Sequence, residues 1–143
     1  NAVQSHSTSS VSSITQRAAV VALSGSQTAV AEMLREYRTR RDQLIAWLAE
    51  EPRIKVVPPA GAFYLFPDIS ELLSPDGVRT SAAFATQLLA RFHVAVTAGE
   101  AFDAPGFLRI SYATSLSRLK EGVGRLKAFI AALDCGDKGD HSI

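Results

Sequence analysis

The chain has 143 residues, 47% hydrophobic and 20% charged, the length of one ordinary domain with enough apolar surface to bury a core. Its 15 basic and 14 acidic residues leave a formal charge of +1, which argues against nucleic acid or an anionic membrane as a main partner. No apolar stretch approaches the roughly 20 residues that span a bilayer, and a single cysteine, Cys135, excludes an internal disulfide framework, so a cytoplasmic location is expected.

Residues 1 to 12 are rich in serine and threonine and read as loop, and this polar opening with Asn1 in place of methionine suggests a chain entered midway. Ser13 and Gln16 have capping-box spacing, and Ile14, Ala18, Val21 and Ala22 recur at helical intervals, so a short helix is predicted to Leu23. Gly25 is expected as its left-handed stop and Ser26 as the next N-cap. The stripe Val30, Met33, Leu34, Tyr37, Leu44, Ile45 and Leu48 predicts a long helix over 27–50, about 36 Å at 1.5 Å per residue. Arg35, Arg38, Arg40 and Arg41 give it a basic flank that reads as a solvated face.

Pro52 ends that helix, and two short strands, Ile54–Val57 and Ala62–Phe66, are expected to pair as a hairpin across Pro58-Pro59 and Ala60-Gly61. Residues 70–79 read as a polar loop with a Ser-Pro-Asp-Gly turn. Thr80 or Ser81 caps a helix carrying Phe84, Leu88 and Phe92, which leads into the strand Val94–Thr97. Ala98 to Gly106 is a loop between that strand and the apolar stretch Phe107–Thr114. Thr114 or Ser115 caps a last helix with Leu116, Leu119, Val123, Leu126, Ile130 and Leu133 inward, locally weakened by Gly122 and Gly124. The expected fold class is α+β: a small, mostly antiparallel sheet with helices packed on one face and one long N-terminal helix.

The feature that calls for chemistry is Arg109. On a strand Leu108, Ile110 and Tyr112 share one face, while Phe107, Arg109 and Ser111 share the other. A guanidinium amid apolar neighbours is costly unless paired, and its planar fork fits a carboxylate or phosphate two-pronged, so Arg109 reads either as an anion-binding arginine or as a structural one, paired with a neighbouring carboxylate or reaching along the surface to water. No metal-ligand spacing occurs, since His6, His93 and His141 are far apart, and no nucleophile elbow or phosphate loop is present. His6 between Ser5 and Ser7 lies in a serine-rich loop where such neighbours arise by chance. The residues alone display no complete catalytic set.

Five segments occur in a telling order: Gln-Ser-His-Ser-Thr-Ser-Ser at 4–10, Arg-Arg-Asp at 40–42, Gly-Ala-Phe-Tyr-Leu-Phe-Pro-Asp at 61–68, Val-Ala-Val-Thr-Ala-Gly-Glu-Ala-Phe at 94–102 and Leu-Arg-Ile-Ser-Tyr-Ala-Thr at 108–114. Together they resemble the C-terminal third of a class I pyridoxal-phosphate aminotransferase of the bacterial aspartate aminotransferase type, from Gln4 to about Leu133. The resemblance implies a homodimer whose cofactor supplies the electron sink while the protein orients the substrates, an amino acid and a 2-oxo acid. It divides the chain into 1–25, a lead-in loop and short helix from the large-domain boundary; 26–133, the small C-terminal domain; and 134–143, a disordered tail.

In that pattern Arg109 matches the arginine that binds the substrate's α-carboxylate. Phe63 lies near the substrate entrance, with core packing as the alternative. Gln4 to Ser9 matches a segment near the subunit interface, and Ser10 departs from the Asn-Pro common there. Trp47 and Met33 read as core or interface packing. The cofactor lysine is expected upstream, since Lys55, Lys120, Lys127 and Lys138 match no cofactor position, so the chain by itself is expected to bind no cofactor and to be inactive. Competing readings are a related pyridoxal-phosphate lyase, an aminotransferase-like ligand-sensing domain of a transcription regulator, and a free-standing interaction module that covers its own helical stripe over 27–50.

Overall fold

The structure is a computed structural model and describes residues 11–75 and 77–136. The chain divides into two compact units, Asn1–Arg35 and Glu36–Ile143.

In the first unit, helix α1 spans Ser13–Ser24 and buries no residue. Its N-cap, Ser12, makes no side-chain bond, and the Gln16 amide donates to the Val11 carbonyl at 2.8 Å, so the expected reciprocal capping box is replaced by a one-way contact. Gly25 is extended rather than left-handed (φ −80°, ψ −176°), yet its N–H still closes the helix on the Val21 carbonyl at 2.9 Å. The Ser26 hydroxyl accepts from the Thr28 N–H at 3.3 Å, as an N-cap does. Helix α2, Thr28–Leu48, begins here with Val30, Met33 and Leu34 exposed. Met33 is thus not among the residues of the core.

The second unit holds the sheet. Strand β1 is Tyr64–Leu65, β2 is Thr97–Ala98 and β3 is Leu108–Ser111, in the order β1-β3-β2, antiparallel throughout. The expected hairpin partner of β1 is wrong: Tyr64 pairs with Ser111 and Leu65 with Ile110. Ile54–Val57 contributes one isolated bridge, in which Lys55 and Asp68 exchange both backbone hydrogen bonds at 2.9 Å. Pro58, Pro59 and Pro67 carry no N–H, so a longer ladder between the two segments has too few donors. The strand placed at Val94–Thr97 starts later, because His93 turns left-handed (φ 57°) to close the preceding helix. Residues 70–79 are less polar in role than in composition: a 3-10 turn, Ser70–Leu72, buries Leu72, and Val78 is buried beyond it.

Helix α3, Ser81–Phe92, is capped by Thr80, whose hydroxyl accepts from the Ala83 N–H at 3.1 Å. Helix α4, Leu116–Asp134, is capped by Ser115, whose hydroxyl accepts from the Arg118 N–H at 3.4 Å. Leu44 and Leu48 of α2, Phe84 and Leu88 of α3, Leu65 and Leu108 of the sheet, and five residues of α4 form one core. At its centre the Phe129 ring meets Phe84 at 4.8 Å edge-on and Phe92 at 5.4 Å. Trp47 packs at the rim of this core.

Asp134, where the tail was placed, is the last residue of α4, and Arg53 grips it two-pronged at 2.7 and 2.9 Å; residues 137–143, with His141 and Lys138, lie outside the described residues. Arg53 also bonds Glu51 at 2.8 and 3.0 Å. Hydrogen bonds from this guanidinium hold both carboxyls below the usual carboxylate range, against an opposing push from burial. A carboxyl whose folded pKa is lowered adds stability that is present above its unfolded pKa, about 4, and is lost as pH falls through the folded value. The unfolding midpoint is therefore expected to fall as pH drops below about 4, and Arg53→Met to flatten that decline; an unchanged acid profile in thermal melts of the variant would contradict the assignment.

Candidate functional site

Arg109 lies in β3 directly opposite Thr97 of β2. The alternation read from the sequence holds: Leu108 and Tyr112 are buried on one face, while Arg109 is half-buried and Ser111 exposed on the other. Because Tyr64 pairs with Ser111, the side chains of Tyr64 and Phe66 rise on the same face as Phe107 and Arg109. The Arg109 guanidinium carbon stands 4.7 Å from the centre of the Phe102 ring and 5.4 Å from that of Tyr64. Its Nη2 donates to the Thr97 hydroxyl at 3.4 Å. Among the described residues no carboxylate pairs with it. A guanidinium has five N–H donors, and one of them goes to Thr97.

Phe102 continues into an aromatic row, edge-on to Phe66 at 5.9 Å, and Phe66 stacks on Phe107 at 5.2 Å. Sequence reading did not gather these rings. The signal was the period of two in both strands, but the antiparallel register needed to join them is not local.

The loop that carries Phe102 is tightly built. A 3-10 turn, Gly99–Phe102, is closed by Asp103 in the left-handed region (φ 54°). The Gly99 N–H donates to the Phe107 carbonyl at 2.8 Å and the Ala104 N–H to the Gly99 carbonyl at 3.0 Å. Two anchors come from the start of α3: the Gly106 N–H donates to the buried Ser81 hydroxyl at 2.7 Å, and the Ala82 N–H to Glu100 Oε1 at 3.3 Å. A Cβ on Gly99 would overlap the carbonyl oxygens of Ala104 and Phe107, so only glycine fits. Gly99→Ala is expected to destabilise the chain by about 1–3 kcal/mol in urea unfolding. Gly122→Ala is the control: nothing lies within 4 Å of its added Cβ, and a gain of up to about 1 kcal/mol is expected. Equal effects at the two sites would contradict the packing argument.

Phe63 is 53% exposed and touches Tyr64 edge-on at 5.7 Å, while its carbonyl accepts the Tyr112 N–H at 2.8 Å. Its ring is not among those that meet Arg109. Gln4 to Ser10, including His6, lie outside the described residues. Among the described residues no group of three or more His, Cys, Asp or Glu side chains is placed to hold a metal ion, and no helix is long and apolar enough to cross a membrane.

A family model described as aminotransferase class I and II matches residues 1–126. The chain belongs to this aminotransferase family. It is 42% identical to an aspartate aminotransferase of Bacillus sp. strain YM-2 over 126 residues, 88% of this chain and 32% of that relative. Among solved structures it resembles the aspartate aminotransferase from Rhizobium meliloti, with a TM-score of 0.83 at 40% identity, covering 91% of this chain and 34% of that one. It also resembles an aromatic aminotransferase from Pyrococcus horikoshii OT3, with a TM-score of 0.67 at 37% identity over 74% of this chain and 27% of that one. The chain spans about a third of the length of the curated relatives it matches.

The aminotransferase family implies pyridoxal phosphate, which is held through a lysine. The described lysines do not fit that role. Lys55 is paired with Glu71, Lys127 with Glu50 at 2.6 Å, and Lys120 is exposed on α4. None meets Arg109, whose neighbours are Tyr64, Thr97 and Phe102. None of the described lysines is therefore placed to hold the cofactor beside Arg109.

Proposed function

We propose that this chain is the C-terminal part, chiefly the small domain over 26–133, of a pyridoxal-phosphate-dependent aminotransferase that exchanges an amino group between aspartate or a related amino acid and a 2-oxo acid. The observation that carries this reading is Arg109: half-buried, covered by two aromatic rings, and without a carboxylate partner among the described residues. Both substrates carry a carboxylate beside the reacting carbon, and one arginine can receive either in turn. Two parallel N–H···O bonds fix the carboxylate plane, which limits the rotations open to the reacting carbon and presents it in one orientation. The aspartate aminotransferases among the relatives support aspartate as donor. The cofactor and its lysine belong to polypeptide outside these residues, the whole protein works as a homodimer in the cytoplasm, and the 143-residue chain by itself does not transaminate.

The test is amino exchange by the full-length protein. With aspartate and a 2-oxo acid, the donor is expected to leave as its own 2-oxo acid while the acceptor gains the amino group. Absence of exchange with every acidic and aromatic donor would overturn the reading, and so would turnover by the isolated chain.

A further inference from the structure

An arginine that awaits a ligand must be kept in one conformation, or binding has to freeze its long side chain at a cost in affinity. Strand β3 fixes only the backbone of Arg109. The side chain is held by Thr97 on one donor and by the rings of Phe102 and Tyr64, of which Phe102 is the nearer, at 4.7 Å. An aromatic ring attracts a cation through its face, so the contact holds the guanidinium without using the N–H groups that a carboxylate needs.

Phe102 lies outside the core of this chain, with 45% of it exposed. It ends a 3-10 turn whose place is set by the glycine-only fit at Gly99 and by the anchors from Ser81 and Ala82 to Gly106 and Glu100. The loop over 99–106 is therefore a rigid mount for one half-exposed ring over one cation.

We propose that Phe102 is a positioning residue for Arg109, holding the guanidinium by its ring face so that the substrate's carboxylate meets a preformed fork. This rests on the reading of Arg109 given above. Tyr64 does the same from β1 at the longer distance of 5.4 Å.

The experiment is steady-state kinetics of the full-length protein with its amino acid donor, comparing Phe102→Leu, Phe102→Trp, Arg109→Gln and the double variant Phe102→Leu with Arg109→Gln. Phe102→Leu is expected to raise KM roughly three- to tenfold with kcat changed less, while Phe102→Trp, which keeps a ring face, stays within about twofold of the parent. With the cation gone in Arg109→Gln, adding Phe102→Leu is expected to change KM by less than about twofold. An equal effect of Phe102→Leu in both backgrounds, or a tryptophan variant as impaired as the leucine one, would overturn the positioning role. If Arg109→Gln itself leaves KM unchanged, the reading of Arg109 falls and takes the inference with it; if only Phe102→Leu is silent, the inference alone falls. Should Phe102→Leu fail to fold, Tyr64→Leu repeats the cycle from the other ring with the same pattern expected.

Discussion

Arg109→Lys in the full-length protein is expected to lower kcat/KM for an α-amino acid by roughly ten- to a hundredfold. A hydrogen bond to a charged group contributes about 1.5–3 kcal/mol, and each 1.4 kcal/mol is tenfold. Lysine keeps the charge and loses the fork, so the loss should appear chiefly in KM, with a smaller part in kcat from poorer orientation. The environment sharpens the effect: the guanidinium donates to the Thr97 hydroxyl, and among the described residues no carboxylate competes for it. Unchanged kinetic constants in Arg109→Lys would refute a two-pronged role.

Phe129→Ala is expected to destabilise the chain by about 3–5 kcal/mol, measured by urea unfolding. The ring is wholly buried and joins α4 to α3 through Phe84 and Phe92, so its removal leaves a void that helices on both sides cannot close without shifting. Against a total stability of about 5–15 kcal/mol, that is a large fraction. The companion Phe63→Ala removes a ring of the same size from an exposed site and is expected to stay within about 0.5 kcal/mol. A loss below about 1 kcal/mol at Phe129 would mean that the helix packing described is wrong.

Helices were the legible part of this fold because their signals are local. Thr80 and Ser115 cap α3 and α4 with their own hydroxyls, three residues from the N–H groups they satisfy. The hairpin failed for the complementary reason. Ile54–Val57 and Ala62–Phe66 look like neighbours in sequence, but prolines strip donors from the first pairing, and β1 finds a better ladder in β3, more than forty residues on. Phe129 was missed because its neighbour Ile130 fits the helical stripe, whereas both residues are buried in the wide face that α4 presents to the core.

The site divides in the same way. Arg109 was visible as a charge misplaced in an apolar strand. Its holders were not, since Tyr64, Thr97 and Phe102 come from three segments that only the sheet register and the 99–106 loop bring together. Gly99 reads in the sequence as an ordinary loop glycine, and its role appears only once the carbonyls of Ala104 and Phe107 close around it.

The most direct measurement removes the carboxylate from the substrate rather than the arginine from the protein. The full-length protein and its Arg109→Ala variant are compared on an α-amino acid and on the primary amine that lacks its α-carboxylate. If Arg109 receives that carboxylate, the parent should prefer the amino acid in kcat/KM, and the preference should shrink by roughly a hundredfold or more in Arg109→Ala, since both deletions remove the same contact. A preference of the same size in both proteins would contradict the role assigned to Arg109.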